Sequence, residues 1–331
     1  MIDLHLHLDG SLKPEIVPVM ARMSGVELNC CESELKRKLM VEPDCTNLGE
    51  YLEKFDLPLK LLQTEECIEY AVYELLRELS TQGLCYAEIR FAPQLHNQRK
   101  LSQDEVVQAA ISGMNKGIGD FSLSANLILC CMRGNDNHNA NLETIAVAEK
   151  YLGKGVCAVD LAGNEAAYPT KQFEDVFMAA KCKKIPIIIH AGEAAGPDSI
   201  REALECGAVR IGHGIHAIED IELISVLKKS NIYLEMCYSS NIQTRTVNRP
   251  EDYPIVEFLA KGLNVTLNTD NITVSNTTLK REYLLVKRQF SLSDELLLKI
   301  ALNSVDAAFL TDNQKAELRD RVKKEFLTWI G

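Results

Sequence analysis

The sequence has no dense Lys/Arg stretch, and its formal net charge is -11. Neither a nucleic-acid backbone nor an anionic membrane surface is therefore an expected partner. Long apolar runs are missing too. Segments such as Ile185–Ile189 fall far short of the roughly 20 residues that span a bilayer. No charged-then-apolar leader stands ahead of His5, so the expected location is cytoplasmic. Eleven cysteines are present, but there is no C-x-x-C, the number is odd, and Cys30–Cys31 and Cys130–Cys131 are adjacent. That spacing excludes a metal knuckle and argues against a secreted disulfide scaffold; the thiols read as reduced, buried small hydrophobes. No linker rich in Pro, Gly or Ser, no low-complexity tract and no internal repeat divides the chain.

What is present is the balance of a packed globular protein: 46% hydrophobic and 25% charged residues in a chain of 331. Short runs rich in Val, Ile and Leu recur, with little polar alternation, as in parallel strands buried on both faces. They are Ile2–Leu8, Cys85–Phe91, Ser124–Cys131, Val156–Leu161, Ile185–His190, Val209–Gly212, Ile232–Met236 and Val265–Asn268. Amphipathic segments separate them. Ile68, Ala71, Val72, Leu75, Leu76 and Leu79 recur at helical spacing, as do Leu297, Ile300, Ala301 and Ala308. Strands alternating with helices in this number predict an α/β protein, a (β/α)₈ TIM barrel, with residues 1–331 as one domain. A typical barrel takes about 250 residues. The surplus falls at 11–83, a helical insertion between strands 1 and 2 expected over the active-site face. A doubly wound open sheet is the second choice, because its Gly-rich dinucleotide turn is absent after the first run.

Barrel active sites sit at the carboxyl ends of the strands, and the unusual polar residues of this chain gather there. His5 and His7 end the first run two apart, so in a strand they point to the same face. His190 closes the fifth run, His213 follows the sixth and Asp270 follows the eighth. Imidazoles and a carboxylate meeting at one rim make a first-row metal site; zinc leads, while iron, nickel and cobalt also suit such ligands. Each residue alone has a plainer reading. A strand-end His is often only a hydrogen-bonded structural residue, and Asp270 after Thr269 can cap the next helix. Their ordered placement at four rims carries the argument. His96 and His138 lie in polar loop sequence without partners, and His216 is at most a neighbour of the site.

The motifs His5-Leu6-His7-Leu8-Asp9-Gly10-Ser11, His190-Ala191-Gly192-Glu193, Gly212-His213-Gly214-Ile215-His216 and Leu267-Asn268-Thr269-Asp270-Asn271 resemble those of the adenosine deaminases. The resemblance spans essentially the whole chain, including Asp160-Leu161-Ala162-Gly163 and Thr277-Thr278-Leu279. It implies a (β/α)₈ barrel, one Zn²⁺ and hydrolytic loss of ammonia from a 6-aminopurine nucleoside. His5, His7, His190 and Asp270 are then the zinc ligands, Glu193 the proton donor, and His213 the group that orients the attacking hydroxide, with Asp270 also catalytic. The chemistry needs these types. Zinc lowers the pKa of water from about 15.7 to about 7. Protonation of purine N1 makes C6 electrophilic, so Glu193 is expected to have a raised pKa through partial burial. Glu193 as an N-terminal helix charge is the plainer reading, and both can hold.

For substrate contacts, the resemblance places Asp9 at the ribose 5′-hydroxyl, the Gly163 N–H at purine N3, and Leu52 and Phe55 as an apolar wall near the sugar. A strand-to-loop turn is the plainer reading of Gly163, and ordinary core that of Leu52 and Phe55. Two departures stand out. Asn271 occupies a position where many relatives have Asp, and an amide donates to the purine N7 acceptor without needing protonation; Asn271 is assigned to N7. Tyr238 follows Cys237 where relatives usually have Pro, an effect expected only on loop shape. The rival substrates are adenine base or a modified adenine nucleoside. A nucleotide fits less well, for want of an Arg/Lys cluster to grip phosphate. The H-x-E and P-C-x-x-C signature of deaminases acting on nucleic acid is absent. A catalytically silent purine-binding barrel is the alternative outside enzymology.

Overall fold

A computed structural model describes the chain except Pro43, Asp44, Thr46 and Asn47, which belong to the expected 11–83 insertion. Eight parallel strands are formed: β1 Ile2–His7, β2 Tyr86–Phe91, β3 Ser124–Met132, β4 Val156–Ala162, β5 Ile188–Ala191, β6 Arg210–His213, β7 Tyr233–Met236 and β8 Asn264–Leu267. β1–β4 pair in order, as do β5–β8. Two single bridges join the halves into a (β/α)₈ barrel, Val159 to Ile187 and Leu6 to Asp270. At the first seam the Val159 N–H donates to the Pro186 carbonyl at 3.0 Å. Pro186 has no N–H to return, and the ladder of β5 begins only at Ile188, three residues later than its apolar run. At the second seam the Asp270 N–H donates to the His5 carbonyl at 2.8 Å and the His7 N–H to the Asp270 carbonyl at 2.7 Å.

Between β1 and β2 lie α1 Val17–Ser24, α2 Glu32–Leu39, α3 Leu48–Leu52, α4 Asp56–Leu61 and α5 Glu65–Thr81. The periodic residues predicted for α5, Ile68 to Leu79, are all buried. Thr64 caps the helix by accepting from the Cys67 N–H at 3.2 Å. The outer ring continues with α6 Gln103–Asp120, α7 His138–Tyr151, α8 Glu174–Cys182, α9 Pro197–Glu205, α10 Ile221–Lys229, α11 Tyr238–Gln243, α12 Ile255–Lys261, α13 Leu279–Phe290, α14 Asp294–Ala307 and α15 Asp312–Ile330. The predicted face of α14, Leu297, Ile300 and Ala301, packs into the core. Cys67, Cys85, Cys130, Cys131, Cys157, Cys206 and Cys237 are buried thiols. No helix among the described residues is long and apolar enough to cross a membrane.

His96 lies in the loop after β2, as its sequence suggests, but that loop buries it. It is 1% exposed, its ring centroid is 6.0 Å from that of Phe91, and neither ring nitrogen has a hydrogen-bond partner. Tyr238 opens α11 and packs edge-on against Tyr253, with ring centroids 5.0 Å apart.

Candidate active site

A cavity of about 250 Å³ opens at the carboxyl ends of the strands. His7, Asp9, Leu52, Phe55, Gly163, His190, Glu193, His213, Asp270 and Asn271 all line it. His5 sits just beneath, fully buried. One nitrogen from each of His5, His7 and His190 lies within 4.8 Å of the others. His7 Nε2 is 3.3 Å from His190 Nε2. Asp270 Oδ1 stands 3.5 Å from His5 Nε2 and 3.4 Å from His7 Nε2. The four residues expected to share a metal are thus brought together.

The protonation of this group follows from its surroundings. Burial, aided by the Arg90 charge, pushes His5 down to about 4. Burial likewise holds His7 well below its ordinary value. For His190 burial opposes the charged form, but the Asp160 carboxylate outweighs it and draws the value up. Burial also works against an ionised Asp270, yet its imidazole neighbours, His5 first, hold it far below the carboxylate range. Cys237 shares a second cluster with His5 and Asp270, and burial raises its thiol well above the ordinary value. His5, His7, His190 and Asp270 offer imidazole and carboxylate donors, a set suited to zinc. His5 Nε2 is buried without a hydrogen-bond partner, as a donor atom reserved for an ion would be.

A layer of charge lies under the imidazoles. His5 Nδ1 meets Glu235 Oε2 at 2.8 Å and His190 Nδ1 stands 2.9 Å from Asp160 Oδ2. Arg90 bridges these two carboxylates, at 2.8 Å to Asp160 and 2.7 Å to Glu235. Arg210 extends the chain to Glu235 at 2.6 Å and Glu88 at 2.7 Å. Carboxylates behind ligand imidazoles fix the tautomer and present the opposite nitrogen to an ion.

On the facing wall, Glu193 Oε2 is 3.5 Å from His213 Nε2. Burial raises the Glu193 carboxyl above its ordinary value, against the pull of His213. His213 Nδ1 is 3.1 Å from the Asn241 amide nitrogen. His213 and Asp270 both adopt left-handed backbone, with φ of 62° and 61°. Such conformations in side-chain-bearing residues are costly and cluster at working sites. Gly163 has φ 106°, which only glycine adopts readily; its built Cβ meets nothing closer than 3.4 Å. Backbone geometry, rather than crowding by the protein, therefore demands glycine here. Burial pushes Asp9 up to about 6. The Asn271 amide donates to the Tyr51 hydroxyl at 3.0 Å, while its Oδ1 has no hydrogen-bond partner. Leu52, 42% exposed, lines the cavity rather than the core.

The family model described as adenosine deaminase matches residues 1–325. An adenosine deaminase of Haemophilus ducreyi is 49% identical over 98% of this chain and 96% of its own. The chain belongs to the adenosine deaminase family. Two solved structures are similar as well. The adenine deaminase of Arthrobacter aurescens superposes with a TM-score of 0.89 at 28% identity, covering 98% of each chain. The N6-methyl-AMP deaminase of Arabidopsis thaliana gives 0.85 at 25%, covering 98% of this chain and 96% of that one.

As a member of the adenosine deaminase family the protein is a hydrolase of C–N bonds. Sequence reading did not single out Arg90, Glu235, Glu165 or Asn241 as part of this site, and it quoted Asp160 without a role. A signal was available for Arg90: with Glu88, two residues before it in an otherwise apolar strand, it must share one face.

Proposed function

We propose that the protein hydrolyses adenosine, and 2′-deoxyadenosine with it, to the 6-oxo nucleoside and ammonia, using one zinc ion held by His5, His7, His190 and Asp270. The observation that carries this reading is the convergence of three imidazole nitrogens within 4.8 Å, beside Asp270 and across the cavity from Glu193. Bound there, zinc supplies Lewis acidity, lowering the pKa of a water from about 15.7 to about 7.

The protein's own groups do the rest. Glu193, whose pKa burial raises toward the protonated form, donates to purine N1 and makes C6 electrophilic. His213 and Asp270 orient the attacking oxygen; the Asn241 amide, donating to His213 Nδ1, leaves Nε2 carrying the proton that faces Glu193. The Gly163 N–H faces N3, Asp9 takes the 5′-hydroxyl, and Leu52 and Phe55 cover the sugar. Asn271 donates to N7 after its amide turns, with the Tyr51 hydroxyl then donating to Oδ1. Residues 1–331 act as one barrel domain, and the 11–83 insertion covers the active-site face, consistent with Tyr51, Leu52, Phe55 and Leu59 at the cavity. The buried thiols fit a reducing cytoplasm, and the acidic charge argues against nucleic-acid or membrane partners.

Adenine base or a modified adenine nucleoside is the second reading, favoured by the likeness to the Arthrobacter enzyme. Release of the 6-amino group by zinc-loaded protein, as ammonia from adenosine and adenine and as methylamine from N6-methyladenosine, compared at equal concentration, tests both. Adenosine should be turned over fastest; preference for adenine would replace the first reading with the second.

A further inference from the structure

The loop that carries Glu193 is tied down by a group outside the catalytic set. Four consecutive backbone N–H groups, those of Gly192, Glu193, Ala194 and Ala195, donate to the carboxylate of Glu165 at 2.6, 3.0, 2.7 and 3.2 Å. Successive N–H groups turned to one side form a concave anion site, and here the anion is the protein's own. Glu165 is 3% exposed and lies two residues after Gly163, on the loop leaving β4. Hydrogen bonds to an ionised acceptor are about twice as strong as neutral ones, so the two loops are held in one register.

We propose that Glu165 is a positioning residue: its carboxylate clamps the 192–195 loop against the Gly163 loop and so places the Glu193 carboxyl at purine N1 while the Gly163 N–H meets N3. N1 and N3 flank one carbon on the same ring edge. A slip of about 1 Å between the loops loses one contact, and such misplacement can cost about 10²-fold in rate. The inference rests on the assignment of Glu193 as proton donor. It gives Glu165 no contact with substrate or zinc.

The test uses four full-length, zinc-loaded proteins: wild type, E165Q, E193Q and the E165Q/E193Q double variant. Glutamine can keep one oxygen where Oε2 accepts three N–H groups, but its NH₂ then faces the Gly192 N–H, two donors together. E165Q should lower kcat for adenosine by about 10²-fold with KM changed by less than about threefold. Zinc content and Tm should stay near wild type. The double variant should be no slower than E193Q alone, because a clamp on Glu193 has nothing left to place. Near-normal kcat in E165Q, loss of zinc from it, or losses that multiply in the double variant would each overturn the proposal. Should E165Q fail to fold, E165D, one methylene short of the loop, must show the same pattern; failure of both to fold makes Glu165 merely structural and also overturns it. A wild-type protein inactive on adenosine overturns the proposed reaction instead, a separate result.

Discussion

Glu235 Oε2 accepts from His5 Nδ1 at 2.8 Å, although 230 residues separate the two in the chain. The same carboxylate also receives Arg90 and Arg210, and the two guanidinium charges hold it below its ordinary range despite burial. Replacing Glu235 by Gln removes both the orienting charge and the counter-charge of two buried arginines. We expect zinc affinity, measured by chelator competition, to fall about 10–100-fold. Thermal stability should drop together with it, by about 3–5 kcal/mol. Unchanged metal affinity would deny Glu235 its orienting role.

Glu193→Gln should behave in the opposite manner. The amide cannot donate an acidic proton to N1, so kcat should fall by about 10²–10⁴-fold, with zinc content and Tm retained. In the proposed reaction Glu193 acts in its protonated form, and burial raises its pKa. Activity should therefore decline as pH rises through that raised value, and the alkaline limb should be missing from the residual rate of the variant. A pH–rate profile of both proteins reads this.

Gly10 and Asn271 are in close register: a Cβ on Gly10 would lie 1.7 Å from Asn271 Oδ1 and 2.5 Å from its Cγ. Gly10→Ala must displace the amide assigned to purine N7, at a stability cost of about 1–3 kcal/mol. The variant should raise KM for adenosine while leaving that for 7-deazaadenosine, which has a C–H at this position, almost unchanged. Equal losses on both nucleosides would remove N7 from the assignment.

His96 couples folding to pH. Burial pushes its pKa down to about 4 in the folded protein, against 6.5 for the free group. Between these values the unfolded chain binds the proton and the folded one does not, so stability falls as pH falls through the window. The difference corresponds to roughly 3 kcal/mol once pH is below both values. His96→Gln should flatten this part of the acid limb, seen as a smaller loss of Tm between pH 6.5 and 4 than in wild type. Parallel Tm curves would mean that other groups set acid sensitivity.

All eight strands are legible in the sequence, because parallel strands buried on both faces leave continuous apolar runs. Their rim residues are legible with them: His5, His7, His190, His213 and Asp270 meet at one cavity although no two motifs are adjacent in the chain. The layer beneath was harder to read. Asp160, Arg210 and Glu235 each sit singly within an apolar run, and nothing local says that opposite charges from β2, β4, β6 and β7 meet inside the barrel. His96 was obscured for a similar reason, since its polar neighbours in the chain are not its neighbours in space. Glu165 was the hardest, because it binds backbone N–H groups, and any loop sequence can supply those.

Asp270 does two things at once: its carboxylate faces the imidazoles, and its backbone closes the seam between β8 and β1. The chain therefore cannot finish its ion trap before its earliest strand and its latest have met. During synthesis His5 and His7 must wait, as an incomplete pair, until Asp270 has emerged from the ribosome. A metal ion held by the proposed ligands would then also fasten the seam between β8 and β1.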